Sequence, residues 1–292
     1  MNTADRGAAA AFTLMSYNIF LGGTGRMDAI TEIVRTVNPD LLGIQEADDE
    51  EAIARMATDL GMEFAHGKAN TIHHVALLSR FPIIRVVNHP HPGILRKTML
   101  EVHVRLPNGA PLTLYVAHLN AFATYAGERR RVREVEAILG SIAPHAQEPH
   151  LLFGDCNALA PGDPIVLERV TAHFANRFTR AEMGRIRPRR PLTVGSLLDR
   201  AISLGWLEAE RILPRYAVRH VLAAGYTDSY RRLHPYEPGF TFPAPDPALR
   251  LDYVFAPPLM QGRLLSCEVV DLPATALASD HRPLVARFAI VP

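Results

Sequence analysis

Three short apolar runs in this sequence end in side chains able to bind a hard cation. Asn18 follows residues 14–17, Glu46 follows 41–44, and Asp155, with Asn157 two places on, follows 151–153. A further carboxylate, Asp280, stands just ahead of the apolar run 284–290. A buried strand places its terminal residue at the rim of a sheet, where backbone pairing ends and a carboxylate can meet water or metal. Oxygen donors from Asn, Glu and Asp suit Mg²⁺ or Mn²⁺ and not zinc. Two of the 13 histidines hold similar positions: His118 ends the run 114–117, and His281 directly follows Asp280. An imidazole, with its unperturbed pKa of about 6.5, suits acid/base work or polarisation of an anionic group when a carboxylate is its neighbour. Taken singly, each residue also has an ordinary structural explanation, since Asp and Asn form turns and Glu46 could open the helix that follows it.

The elements that would position these residues can be read from spacing. Residues 12–19 alternate as a strand, and Met27, Ile30, Ile33, Val34 and Val37 then recur at helical spacing until Asn38-Pro39 stops the helix. Residues 41–44 make a short apolar strand and 50–60 a helix closed by Gly61. β-like runs at 76–79, 83–87, 99–106 and 112–118 predict antiparallel meanders, the last two joined by a hairpin at Pro107-Asn108-Gly109. Residues 127–142 predict a helix with Val132, Val135, Ile138, Leu139 and Ile142 inward and Arg129, Arg130, Arg131 and Arg133 outward. A buried strand at 150–153 and strands at 251–255, 264–270 and 284–290 complete the set. Strands and helices in mixed order, without strict βαβ repetition, favour an α+β sandwich over a doubly wound sheet.

Composition sets the bounds. With 48% hydrophobic and 21% charged residues over 292 positions the chain is globular, and it is expected to form a single domain, 1–292. The net charge of +1 excludes binding driven by overall basicity, so any polyanion contact needs a local patch. One candidate patch is residues 176–235, which hold 12 Arg against five Asp/Glu, a local +7 that leaves the rest of the chain at −6. The stretch reads as a basic helical insertion with helices near 194–204 and 214–224. Its Pro-broken cluster Arg185, Arg187, Arg189 and Arg190 is either a solvated loop or an anion-binding wall. Only Lys68 and Lys97 among the 31 basic residues are lysines, a bias attributed to overall composition. Two cysteines, Cys156 and Cys267, are too few for a disulfide scaffold or a zinc site. No signal peptide and no uninterrupted apolar stretch of ~18 residues is visible, which predicts a cytoplasmic protein with no membrane span.

Six blocks turn the single residues into a constellation. Leu14-Met15-Ser16-Tyr17-Asn18, Gly43-Ile44-Gln45-Glu46, Val116-Ala117-His118-Leu119-Asn120, Gly154-Asp155-Cys156-Asn157, Leu251-Asp252-Tyr253-Val254-Phe255 and Ser279-Asp280-His281 occur in that order. Together they resemble the motif blocks of the endonuclease/exonuclease/phosphatase superfamily, which includes DNase I-like nucleases, abasic-site endonucleases, inositol-phosphate phosphatases and neutral sphingomyelinases. The resemblance spans nearly the whole chain. It implies a four-layer α/β/β/α sandwich of two mixed β-sheets flanked by helices, with a metal site at one rim.

Carried over block by block, the resemblance has Asn18 and Glu46 holding Mg²⁺ or Mn²⁺ with Asp280 near it. Asp155 and Asn157 would position or activate water and contact the phosphate. His281, oriented by Asp252, would act as base or polariser, and His118 would stabilise charge on the phosphoryl oxygens. Asn120, Arg187 and Arg189 are candidates for substrate contact. Both Asp155 and His281 stand as candidates for the water proton. Cys156 replaces a bulkier apolar residue of the family pattern, and strand alternation turns it away from Asp155 and Asn157, as a small core residue rather than a nucleophile.

These features imply a metal-dependent phosphate-ester hydrolase, most simply one that cuts a phosphodiester, as a nuclease or phosphodiesterase-like enzyme, with nucleic acid a candidate substrate. A phosphomonoesterase acting on a small metabolite or an inositol or lipid headgroup is the alternative, because substrate choice lives in loops. A reading of another class is an inactive binding module with the same fold, whose mark would be a broken block.

Overall fold

A computed structural model of the chain describes residues 10–181 and 214–291. Among these residues, twelve strands form two six-stranded sheets. The first contains β1 (Ala11–Asn18), β2 (Leu41–Gln45), β3 (Glu63–Gly67), β4 (Val75–Ser79), β11 (Leu264–Val269) and β12 (Leu284–Ala289), in the spatial order β11-β12-β1-β2-β4-β3. The second contains β5 (Ile83–His89), β6 (Met99–Arg105), β7 (Pro111–His118), β8 (His150–Asp155), β9 (Thr227–Asp228) and β10 (Asp252–Ala256), in the order β5-β6-β7-β8-β10-β9. Each sheet has one parallel pair at its centre, β1 with β2 and β7 with β8, and every other pairing is antiparallel. The expected meander therefore divides. β5, β6 and β7 do run antiparallel in one sheet, but β4 pairs with β2 and with β3, a strand the sequence reading omitted, in the other.

Alternation along the central strands builds three cores and hence four layers. Phe12 and Leu14 of β1 face Leu114 and Val116 of β7 and Phe153 of β8 in the core between the sheets. Met15 and Tyr17 point the other way, onto Ile30, Ile33 and Val34 of α1 (Met27–Val37) and Ile53 and Met56 of α2 (Glu50–Leu60). On the far side, Tyr115, Leu152 and Cys156 pack on Val135 and Ile138 of α3 (Tyr125–Ile142). Cys156 is thus a core residue, and burial raises its thiol pKa well above the ordinary value.

Helix ends follow the chemistry of the flanking residues. Asp49 accepts a hydrogen bond from the Ala52 amide at the start of α2, and Gly61 ends it in the left-handed region. Asn38 ends α1 in the same conformation, immediately before Pro39. Arg131 departs from the outward face expected of it: it is buried, paired with Glu128 at 2.7 Å, and donates to the carbonyls of Asn120 and Phe122. The helix buries this cation because Glu128 is buried with it.

Close approach of the two sheets requires glycine at Gly43, where a Cβ would meet the Phe153 ring at 2.2 Å. Beyond α3, the chain forms α4 (Leu167–Ala181), then α5 (Tyr216–Ala223), which packs on α3, and α6 (Ser229–Leu233) beside β11. The expected helix at 194–204 and the residues Arg185, Arg187, Arg189 and Arg190 lie outside the described residues. No helix among the described residues is long and apolar enough to cross a membrane.

Candidate active site

The parallel pairs explain why the candidate residues converge. Parallel neighbours end at the same rim, and in the first sheet Asn18 lies opposite Gln45, with Glu46 next in the chain. In the second sheet His118 lies opposite Asp155. An antiparallel partner starts where its neighbour ends, so Asp252 at the head of β10 pairs with Asp155 at the tail of β8. His281 enters just before β12, whose Leu284 pairs with Ser16 of β1. Ser279 fastens this last segment, donating to the Asn18 carbonyl at 2.6 Å and accepting from the His281 amide at 3.1 Å.

Asp155 is the hub. Its Oδ2 accepts from Asn18 Nδ2 at 2.9 Å and Asn157 Nδ2 at 3.1 Å, and lies 3.2 Å from His118 Nε2 and 3.8 Å from His281 Nε2. Its Oδ1 accepts from the Asn157 amide at 2.8 Å. Although burial opposes ionisation, His281, His118 and Lys97 together hold the carboxyl well below the usual range. Gly154, just before Asp155, has a φ of +137°, and a Cβ there would lie 1.9 Å from the Ala117 carbonyl oxygen, so the approach to the hub requires glycine.

Asp252 Oδ2 lies 2.8 Å from His281 Nδ1, the expected pairing. Burial lowers the pKa of this imidazole, but Asp252, Asp155 and Asp280 outweigh it and raise the value to about 10, so His281 is an imidazolium at neutral pH. His118 is its opposite: burial and the neighbouring Lys97 push it down to about 4 and keep it neutral. The two histidines therefore carry different charges, a distinction their similar sequence settings do not show. Asn120 is buried with both side-chain polar atoms unpartnered, as are His118 Nδ1 and Asp252 Oδ1.

Two groups among the described residues bring three His or carboxylate ligand atoms within 4.8 Å of one another. One is Asp155, Asp252 and His281, fully buried. The other is Glu46, Asp48 and His73, partly exposed. In the second, His73 Nδ1 lies 3.2 Å from Asp48 Oδ2 and 3.5 Å from Glu46 Oε2. An octahedral cation with bonds of about 2.1 Å sets adjacent donors roughly 3 Å apart, so this donor set fits one. Glu46 is held by the Leu21 amide, which donates to its Oε2 at 2.7 Å, and by Asn18 Nδ2 at 3.4 Å. Asn18 spends its amide on Asp155 and Glu46, while its Oδ1 accepts from Phe20 N at 3.0 Å. Asp280 belongs to neither group; its charge acts on His281. Asp48 and His73 were missed in sequence because each looks like part of an ordinary run, Asp48 in an acidic helix start and His73 in a histidine pair. Arg187 and Arg189 lie outside the described residues.

Two facing mixed sheets between helical layers, with carboxylates and imidazoles gathered where their central parallel strands end, define the DNase I-like class of sandwich. The chain matches the family model described as Endonuclease/Exonuclease/phosphatase family over residues 15–281, and it belongs to that family, whose members hydrolyse phosphate esters with a divalent metal. No curated protein matches the sequence. Among solved structures, an AP endonuclease from Archaeoglobus fulgidus is similar with a TM-score of 0.67 at 16% identity, covering 96% of this chain and 100% of that one. The 3'-5' exonuclease NExo from Neisseria meningitidis gives 0.67 at 19% identity over 95% and 100% of the two chains. Truncated TDP2 from Caenorhabditis elegans gives 0.60 at 17% identity over 96% and 98%.

Proposed function

We propose that this chain hydrolyses a phosphodiester with Mg²⁺ or Mn²⁺ bound at Glu46, and that nucleic acid is its favoured substrate class. The observation that carries the reading is the Asp155 hub, one carboxylate in reach of Asn18, Asn157, His118 and His281, adjoining the Glu46 group through Asn18. A divalent cation there supplies positive charge to the phosphoryl oxygens. Glu46, Asp48, His73 and the side-chain oxygen of Asn18 are the groups that would hold it.

Phosphoryl transfer asks chiefly for positioning and electrostatic stabilisation, and the remaining side chains supply both. Asp155, ionised in the resting site, accepts a hydrogen bond from the attacking water, aims it and takes its proton as the new P–O bond forms and the ester P–O bond breaks, the leaving oxygen being protonated by solvent, while Asn157 fixes the carboxylate. His281 enters as an imidazolium, oriented by Asp252, and polarises the phosphate. On this reading kcat/KM falls as pH rises through about 10, where His281 loses its proton. Neutral His118 contributes a hydrogen bond rather than charge, and the unpartnered amide of Asn120 faces the same task.

The nucleic-acid preference draws support from the neighbours' activities, among them a Neisseria 3' phosphatase bound to a product DNA hairpin. That enzyme's phosphatase activity equally favours the second reading, a phosphomonoesterase on a small phosphorylated metabolite or an inositol or lipid headgroup. An inactive binding module has least support, since none of the six blocks is broken.

The deciding experiment is a panel of bis-p-nitrophenyl phosphate, supercoiled, single-stranded and abasic DNA, RNA, and inositol phosphates. Activity is expected to vanish in EDTA and return with Mg²⁺ or Mn²⁺; full activity in EDTA overturns the metal. Replacing Arg185, Arg187, Arg189 and Arg190 by serine should raise KM for a polynucleotide and leave a small chromogenic diester unaffected. Turnover of inositol phosphates without any polynucleotide cleavage moves the assignment to the second reading.

A further inference from the structure

A buried cation stands in this site that none of the six sequence blocks contains. Lys97 is 5% exposed and lies two residues before β6, at the same rim. Its ammonium is in direct contact with His118 Nε2, its only hydrogen-bond partner among the described residues. An ammonium has three donors, so two remain for a ligand. The carboxylates of Asp155, Glu46, Glu134 and Asp48 surround it electrostatically.

The backbone around Lys97 is tied to the site as well. Glu134 of α3 accepts from the Arg96 amide at 3.0 Å through one oxygen and from the Asn120 amide at 2.9 Å through the other. One buried carboxylate thus sets the segment bearing Lys97 and the segment bearing Asn120 side by side. Asn70 adds a contact from its amide to the Lys97 carbonyl at 3.4 Å. A compact, point-like ammonium fits a packed pocket beside an imidazole, which a planar guanidinium fork does not.

With His118 neutral, positive charge at this corner of the site comes from the lysine. Burial lowers the Lys97 pKa to about 8, which still leaves the ammonium form dominant at neutral pH. The geometry points to Lys97 as the group that binds a non-bridging oxygen of the substrate's phosphoryl group, with His118 and Asn120 completing the cradle. The assignment rests on the phosphohydrolase reading above. It makes Lys97 the fixed counterpart, on the second sheet, of the cation held at Glu46 on the first. A protein cation here would share with a metal held at Glu46 the neutralisation of charge on the phosphoryl oxygens.

The competing explanation is that Lys97 only neutralises the carboxylates around it. Two measurements separate the two. Calorimetric titration with inorganic phosphate, in the absence of metal, is expected to show binding by the wild type that weakens at least about tenfold in Lys97→Met. Steady-state kinetics on bis-p-nitrophenyl phosphate with Mn²⁺ are expected to show kcat lowered ~100-fold or more, the scale of losing one preorganised donor. Mn²⁺ affinity, read from the electron paramagnetic resonance of free ion, should be unchanged or tighter, because a repelling charge has gone. Lys97→Gln repeats the phosphate titration should the methionine variant fail to fold. Equal phosphate affinity in wild type and variant overturns the proposal, whatever the hydrolysis panel returns. A kcat loss accompanied by weaker Mn²⁺ binding also overturns it, in favour of a role in arranging the metal ligands. A wild type that binds phosphate through Lys97 but cleaves no ester tells against the function proposed above and leaves the lysine assignment standing.

Discussion

Two buried clusters of charge meet on either side of Leu251, and they are built to different ends. On one side Arg250, with no exposed surface, donates through Nε to Asp163 at 2.9 Å and through both Nη atoms to Asp228 at 2.9 and 2.6 Å. Arg231 closes on the other Asp163 oxygen at 2.9 Å, and Asp228 also caps α6. Every carboxylate oxygen in that cluster has a partner. On the other side, Asp252 leaves Oδ1 unpartnered, His118 leaves Nδ1, and Asn120 leaves both its polar atoms. Burying a polar group without a partner costs about 1–3 kcal/mol, and a fold tolerates that where the missing partner is a ligand. Saturation, rather than burial or charge, separates the scaffold cluster from the chemical one.

The sharpest way to break this contrast is to exchange the expected outcomes. Arg250→Met strands two buried carboxylates and should destabilise the fold by about 3–5 kcal/mol in urea unfolding. A loss below about 1 kcal/mol would remove Arg250 from the scaffold class. His281→Ala should differ in kind, lowering turnover of the folded enzyme more than ~100-fold, with some loss of stability beside it because Asp252 and Asp155 lose their imidazolium. Asp252→Asn should cost a comparable factor, and the double variant should be hardly worse than either single because the pair acts as a unit; multiplicative losses would mean independent roles. His73→Ala should weaken Mn²⁺ binding by about tenfold, on the scale of losing one metal-site interaction, and should weaken Mg²⁺ binding less, because imidazole suits transition metals better.

The smallest effect lies outside both clusters, at Glu101, a carboxylate between His89 at 2.8 Å and His103 at 2.5 Å. These contacts outweigh burial and depress its pKa. Its stabilisation is present above the unfolded carboxylate value of about 4.3 and is lost as pH falls through the folded value. Glu101→Gln should therefore cost at most about 1 kcal/mol at pH 7 and less at pH 3, as thermal melts at the two pH values would show.

What could be read in the sequence follows the same division. α2 falls at 50–60 as expected because its cap and its terminating glycine are local signals. β3 was missed because Glu63 and His66 interrupt its apolar pattern, and α4 because its charged residues obscure Val170 and Phe174. The six blocks were legible since each is a contiguous string at a strand end. Asp48, His73, Lys97 and Glu134 were not, because their placement arises only when segments distant in the chain pack together. Arg131 was assigned to an outer face since helical spacing counts charges without showing that Glu128 is buried beside it.

The position of β12 has a consequence for how the protein comes into being. This strand, last of the twelve in chain order, lies between β11 and β1, the first, and His281 rides on the segment leading into it. A polypeptide leaving the ribosome carries Asn18, Glu46, His118 and Asp155 long before that strand can zip onto β1. Until it does, His281 and the serine tether to Asn18 are missing, so the candidate residues gather fully only when a strand from far along the chain joins the first one.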